Sequence, residues 1–362
     1  MAHVINTRID VSNLKRLPPP RSVKAVSCSS TELEKQVYGQ RKVIESILRG
    51  KDSRMLAIVG PCSIHDPRAA IEYAQQLAPL AQEVAPHIFV VMRAYFQKPR
   101  TTIGWKGLFY DPDLFMNGGN VEKGAYLVRH VALEIAKLGL PIATEALDQW
   151  LPPYIDDLVS WSCIGARTVE SQPHRELASG LSAPVGMKNP TDGSTKGAVN
   201  GVNSANHPHE FFGLDADGHP AIFPTTGNPY AHVVLRGGGG KPNYERESIA
   251  STIAALEKDH LLSSLVIDAA HENSNKDHRK QRSVVDNVVD QRLEGNEKIV
   301  GFMVESNLNE GRQDIVPGRG LEALAYGVSI TDPCMGFRDT ERLLRHTASR
   351  LNRTAEAAST AA

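Results

Sequence analysis

Apolar runs rich in Val and Ile recur along the whole chain, and between them lie stretches whose apolar residues return at helical spacing. A parallel sheet with crossover helices is written this way, because strands buried on both faces lose the two-residue alternation of a half-exposed strand. Eight such runs can be counted: MLAIVG, HIFVVMR, LPIATE, SCIGAR, APVGMK, HVVLRG, SLVIDAAH and IVGFMVE. Amphipathic segments such as Pro67 to Glu83 and Gly124 to Leu138 connect them. Eight successive parallel strands predict closure into an α/β (β/α)8 barrel. A doubly wound open sheet would also alternate, but no G-x-G-x-x-G turn follows the first strand to mark a dinucleotide site.

One connection is too long for a simple crossover. More than forty residues separate APVGMK from HVVLRG, and inside them HEFFGLD, ADG and HPAIFPT read as a β-hairpin inserted at about 207–228, between barrel strands 5 and 6. Residues 1–50 are expected to form an N-terminal arm and helix with oligomer or regulatory roles, and 51–350 the catalytic barrel. The arm contains LPPPR at Leu17 to Arg21, which cannot be helical throughout; a helix is predicted from about Thr31 to Arg49. The Ala/Thr/Ser-rich residues 351–362 are expected to fray as a disordered tail.

Forty basic and forty-one acidic side chains leave no global field for nucleic acid or an anionic membrane, so any anion site must be local. No apolar run approaches the roughly 20 residues that span a bilayer. Cys28, Cys62, Cys163 and Cys334 show neither C-x-x-C spacing nor a disulfide framework, which fits a reducing, cytoplasmic setting. The basic residues Arg8, Lys15, Arg16, Arg21 and Lys24 read as a basic arm, with an organellar transit peptide as the alternative.

A barrel of this type collects its chemistry where strands end. Those ends carry Cys62; Arg93 with Lys98 and Arg100; Glu145; Arg167; Lys188; Arg236; Asp268 with His271; and Glu305, with Asp332 in the TDPC loop. Six converging cations would repel one another unless multivalent anions bind among them, and Arg offers forked donors for phosphate and carboxylate oxygens. A substrate or pair of substrates with several negative charges is therefore expected. Cys62, His271, Glu305 and Asp332 form a mixed sulfur, nitrogen and oxygen set suited to a divalent Mn, Fe, Co or Zn ion rather than magnesium. A buried, inert Cys62 is the alternative at this point. His271 and Glu272 lack the second His of HEXXH, and the Gly237 to Lys241 run lacks the Ser/Thr of a Walker loop.

Seven segments together resemble a known family: GPCSIHD from Gly60, VMRAYFQKPRTTIGWKG from Val91, IGARTVESQPHRELASGLSAPVGMKNPTDGS from Ile164, LRGG from Leu235, HENSNK from His271, MVESNL from Met303 and SITDPC from Ser329. They resemble the type I 3-deoxy-D-arabino-heptulosonate 7-phosphate (DAHP) synthases of the microbial, aromatic-amino-acid-sensitive branch, over roughly residues 55 to 345. The resemblance implies metal ligands at Cys62, His271, Glu305 and Asp332. It implies a phosphoenolpyruvate site at Arg93, Lys98, Arg167, Lys188 and Arg236, with Glu145, Gly165 and Ala166 nearby. An erythrose 4-phosphate site falls on Pro99, Arg100, Thr101 and Thr102, with Asp332 close to the sugar hydroxyls.

The implied reaction, which opens the shikimate route to aromatic amino acids, joins C3 of phosphoenolpyruvate to the aldehyde carbon while water adds at C2 and phosphate departs. Lys98, flanked by cations and so lowered in pKa, is the expected proton donor to the alkoxide. Ala270 and Glu272 beside His271, and Pro190 after Asn189, depart from the family pattern. The arm, the hairpin, the stretch Glu145 to Asp157 and Ser182 would surround a site for an inhibitory Phe, Tyr or Trp, and the family implies homodimers or homotetramers. Two alternatives are a sister synthase using arabinose 5-phosphate, whose pattern lacks Lys98 to Thr102, and a non-catalytic paralogue that binds an aromatic amino acid.

Overall fold

The computed structural model describes residue 8, residues 14–116 and residues 119–361, with side chains given as far as residue 353. The first part of the arm, apart from Arg8, lies outside the described residues. Eight parallel strands form the barrel: β1 Met55–Gly60, β2 Ile88–Arg93, β3 Ile142–Glu145, β4 Trp161–Ile164, β5 Val185–Lys188, β8 His232–Leu235, β9 Leu265–Asp268 and β10 Ile299–Asn307. Closure is made by β1 against β10, in register from Leu56 with Gly301 to Gly60 with Glu305. The inserted β6 Glu210–Leu214 and β7 Pro220–Pro224 pair antiparallel, with Phe211 stacked on Phe223 at 5.3 Å. A two-residue β11, Met335–Gly336, adds beside the end of β10.

Side-chain hydrogen bonds start several of the surrounding helices. Ser30 accepts from the Leu33 amide at the head of Thr31–Leu48, Asp66 from Arg68 before Pro67–Val84, and Asn120 from Lys123 before Val121–Lys137. Each satisfies an amide that would otherwise lack a partner. Pro20 opens a short helix, Pro20–Val26, where its missing N–H costs nothing. The final helix runs on from Phe337 to Ala361, through the stretch expected to fray; its alanines are strong helix formers.

Two apolar layers hold this frame. The larger fills the space between strands and outer helices. The smaller lies inside the barrel, where Leu56, Ile58, Val91, Val234, Val266 and Met303 meet Ile44, Ile47 and Leu48 of Thr31–Leu48. That helix therefore plugs one end of the barrel with its apolar face. The arm is fastened by charge: Arg129, fully buried, donates to the Ser27 carbonyl at 3.0 Å and pairs with Asp157, while Arg21 reaches Asp217 of the hairpin at 2.8 Å.

His232, at the start of β8, is completely buried; its Nδ1 bonds the Tyr230 carbonyl at 2.9 Å and its Nε2 accepts from Trp161 at 3.2 Å. Burial pushes its pKa down to about 4. The unfolded chain, with an ordinary histidine near 6.5, takes up this proton first as pH falls, so stability is whole above pH 6.5 and drains as pH drops toward 4. We expect His232→Gln to recover about 2 to 3 kcal/mol of the wild-type loss between pH 7 and 4.5, read from urea unfolding at the two pH values. Identical pH dependence in both proteins would exclude His232 as a source.

Candidate active site

The strand ends place charges of both signs in alternation. Arg93 closes β2 and is buried; its Nη2 donates to Glu305 Oε1 at 2.9 Å and to the Cys62 carbonyl at 3.1 Å, and its Nε donates to the Pro61 carbonyl. Its guanidinium lies 3.5 Å over the Tyr95 ring, whose hydroxyl meets Cys163 Sγ at 2.9 Å. Lys188 closes β5 and donates to Asp268 Oδ2 at 2.7 Å; that same oxygen stands 3.0 Å from His271 Nδ1. Burial opposes the Asp268 carboxylate, yet Lys188 and His271 hold its pKa well below the usual range.

Beside this layer, Cys62 Sγ and carboxylate oxygens of Glu305 and Asp332 lie within 4.8 Å of one another, a grouping that can hold a metal ion. His271 is not within that tight group, but its Nε2 is 3.7 Å from Glu305 Oε1 on the same side of the cavity. The donor set fits a borderline divalent cation on its chemistry. Burial and the Glu305 carboxylate push the Cys62 thiol up to about 12, against the opposing pull of positive charge nearby. Lys98 supplies one such charge, its Nζ 2.9 Å from Cys62 Sγ and 2.8 Å from Asp332 Oδ2.

Two sequence-based expectations change here. Lys98 is flanked by anions, not cations; burial works against its charge, but Cys62, Asp332 and Glu305 together raise its pKa above the ordinary lysine value. Nor do six bare cations converge. Arg93, Lys188 and Lys98 are each matched by a carboxylate, which removes the mutual repulsion inferred from sequence.

Above this layer opens a cavity of about 340 Å3 lined by Lys98, Thr101, Arg167, Arg236, His271, Glu272, Glu305 and Asp332, among others. Arg167 donates to Thr101 Oγ1 at 3.2 Å and Arg236 to the Gly237 carbonyl at 3.4 Å, neutral acceptors, while Asp268, Glu272 and Glu305 favour the Arg236 charge without hydrogen-bonding to it. Burial lowers the Arg236 pKa, the cost of holding that charge ready. Pro99, Arg100 and Thr102 share the loop of Thr101 but stand outside the lining, and Arg100 and Thr102 are exposed. Glu145, buried at the end of β3, packs so close to Gly165 that a Cβ there would meet its Oε1 at 2.1 Å; only glycine fits. That oxygen has no hydrogen-bond partner within the protein. Ala166 follows, half-buried.

A second cavity, about 470 Å3, lies between the arm, the 149–156 segment and the hairpin. Pro152, Pro153, Leu177, Leu181, Phe211 and Phe223 give it apolar walls, with Arg21, Lys24, Asp156, Ser182 and Asp215 at its polar positions.

The model of the DAHP synthetase I family matches residues 29–345. This chain belongs to that family. It is 47% identical over 345 residues to the Tyr-sensitive phospho-2-dehydro-3-deoxyheptonate aldolase of Escherichia coli (strain K12), covering 95% of this chain and 96% of that one. The Phe-sensitive enzyme of the same strain is 46% identical over 344 residues, covering 95% and 97%. The Trp-sensitive enzyme is 49% identical over 314 residues, covering 86% and 88%. Among solved structures, the phospho-2-dehydro-3-deoxyheptonate aldolase from Francisella tularensis SCHU S4 superposes with a TM-score of 0.90 at 43% identity, covering 95% of this chain and 99% of that one.

Within this member of the family, sequence reasoning named Asp268 at a strand end but gave it no role, and it overlooked Tyr95 and Lys276. Asp268 carried the available signal: an acid closing a strand among basic strand ends has a partner to find. Removing one member of a buried, charged set leaves the others uncompensated, typically at about 3–5 kcal/mol. Asp268→Asn is expected to lower unfolding free energy by about that amount, whereas Asp217→Ala, which breaks an exposed pair, should cost under about 1 kcal/mol. Equal losses in chemical denaturation would contradict this ranking.

Proposed function

We propose that this chain condenses phosphoenolpyruvate with D-erythrose 4-phosphate, releasing DAHP and inorganic phosphate. One observation carries the reading: Glu305, Asp332, the Lys98 ammonium, Arg167 and Arg236 line a single cavity, and the Cys62 thiol lies buried against the two carboxylates and the ammonium. Family membership and relatives named as phospho-2-dehydro-3-deoxyheptonate aldolases support it.

Cys62, Glu305 and Asp332, joined by His271, are the residues that would hold a divalent Mn, Fe, Co or Zn ion. Such an ion supplies Lewis acidity that polarises the aldehyde oxygen. Arg167 and Arg236 receive the phosphate of phosphoenolpyruvate, and its carboxylate lies toward Arg93 and Lys188, whose charges are already paired with Glu305 and Asp268. Thr101, at the cavity, and Pro99, Arg100 and Thr102 on the same loop hold the sugar phosphate. C3 then attacks the aldehyde carbon, and the resulting alkoxide takes its proton from Lys98. Its anionic neighbours keep Lys98 protonated and make it a weaker acid than an ordinary lysine, so this transfer relies on the strong basicity of the alkoxide. Water adds at C2 and its proton restores the Lys98 ammonium, which lines the same cavity. The C2–O bond to phosphate breaks last, with Arg167 and Arg236 bearing the departing charge.

The second cavity is assigned to an inhibitory aromatic amino acid. Its apolar walls suit a ring, and its mixed charges suit the ammonium and carboxylate of a free amino acid. Relatives named Tyr-, Phe- and Trp-sensitive support an effector of this class. Assembly as a homodimer or homotetramer in the cytoplasm completes the reading; the four free cysteines suit a reducing setting, and no helix among the described residues is long and apolar enough to cross a membrane.

With manganese present, the purified protein is expected to consume phosphoenolpyruvate only with erythrose 4-phosphate, losing turnover on chelation, and Lys98→Ala should lower kcat by at least about 100-fold. Turnover with arabinose 5-phosphate instead would make it the sister synthase; none with either sugar across the four metals would make it a silent paralogue. Titration calorimetry with Phe, Tyr and Trp should show one binder, weakened at least about tenfold by Phe211→Ala. Heat from none of the three removes the effector assignment.

A further inference from the structure

The segment that carries His271 is unusual in its backbone. His271, Asn275 and Lys276 all have left-handed φ, at 57°, 51° and 59°, a conformation that costs non-glycine residues energy and persists only where surrounding bonds enforce it. Those bonds are present. The Lys276 amide donates to the His271 carbonyl at 2.7 Å and the Asn275 amide to the Glu272 carbonyl at 3.1 Å, while the Asn273 side chain donates to the Asp268 carbonyl at 2.8 Å. Folded so tightly, the turn sets Glu272 and Lys276 side by side on the cavity wall, Nζ to Oε1 at 3.0 Å. Gly237, next to Arg236, has φ 71° and touches Glu272; a Cβ there would lie 2.7 Å from that of Glu272. Glu272 is therefore wedged beside Arg236, largely covered, whereas Lys276 is two-thirds exposed and free to swing.

We propose that Glu272 and Lys276 form a charge clamp that limits how tightly this cavity holds a free phosphate dianion. The inference rests on the assignment of Arg167 and Arg236 to a phosphate group. A phosphate at those arginines would gain a third cation if Lys276 turned toward it, but Lys276 must first leave Glu272. Glu272 thus competes with the phosphate for the same ammonium and repels it directly. Neither effect falls equally on every ligand. Phosphoenolpyruvate has a carboxylate as a second point of attachment, whereas inorganic phosphate depends on the clamped end alone. The clamp's expected consequence is easier departure of the phosphate formed in each turnover, at the cost of weaker first capture.

The test is calorimetric titration of inorganic phosphate into the full-length, manganese-loaded protein at fixed ionic strength, for wild type, Glu272→Gln, Lys276→Ala and the double variant. Glu272→Gln is expected to tighten phosphate binding about fivefold, and Lys276→Ala placed in that background to return it to about the wild-type value. Lys276 is exposed, so its replacement threatens no fold, and Glu272→Gln preserves side-chain volume. Unchanged or weaker binding in Glu272→Gln overturns the clamp. So does a tightening that persists without Lys276, because Glu272 would then act only as a bare repelling charge. Wild-type turnover with phosphoenolpyruvate and erythrose 4-phosphate is measured alongside: its absence with an intact phosphate cycle removes the assigned reaction and leaves the clamp, and the converse removes the clamp alone.

Discussion

Alternation of charge at the strand ends is the constraint on which the site depends. Arg93 with Glu305, Lys188 with Asp268 and His271, and Lys98 with Cys62 and Asp332 form a contiguous layer in which every buried ion faces an opposite one. Burying that many charges is tolerable only if each is matched, because an unpaired ion in a low-dielectric interior costs several kcal/mol. Matching also fixes orientation. Asp268 uses one oxygen to hold both the Lys188 ammonium and the His271 ring, tying the anion floor to the candidate metal ligands through a single side chain.

The barrel makes this layer possible by supplying the matching from different strands. The closing pair β1 and β10 brings Gly60 opposite Glu305, and the loop after Gly60 turns Cys62 toward it. Inside, apolar side chains and the plug from Thr31–Leu48 give the charged layer a dry support. The Tyr95 ring joins the two regimes: its face carries Arg93, with Lys188 5.8 Å from its centre, and its hydroxyl end is sunk against Cys163. Above the layer, Arg167 and Arg236 hydrogen-bond only to neutral acceptors, so their donors remain available to a ligand in the cavity.

The same separation of roles holds at the second cavity. Its walls come from the arm, the 149–156 segment, the 177–182 segment and the hairpin, none of which belongs to the barrel strands. The arm is held there by the Arg129 hydrogen bond to the Ser27 carbonyl, by Lys24 with Asp156 and Asp157, and by Arg21 with Asp217. Its position over the cavity is thus a matter of a few polar contacts, weak where exposed and stronger where Arg129 is buried.

Much of this was legible in the chain before any coordinates. Eight Val- and Ile-rich runs with amphipathic connectors determined the barrel, because strands buried on both faces must be apolar throughout, and the over-long connection determined the hairpin. The strand-end rule singled out Cys62, Arg93, Lys98, Lys188, Arg236, His271 and Glu305 as candidates, since which residues follow each strand is fixed by sequence position alone. What sequence could not determine was who pairs with whom. Partners such as Arg93 and Glu305 lie on strands far apart in the chain, and only barrel closure puts them 2.9 Å apart. For that reason the protonation of Lys98 was misjudged: its neighbours in sequence are a proline and an arginine, but its neighbours in space are a thiol and a carboxylate. Residue identity is local and was written in the chain; electrostatic environment is a sum over contacts that only the tertiary structure decides.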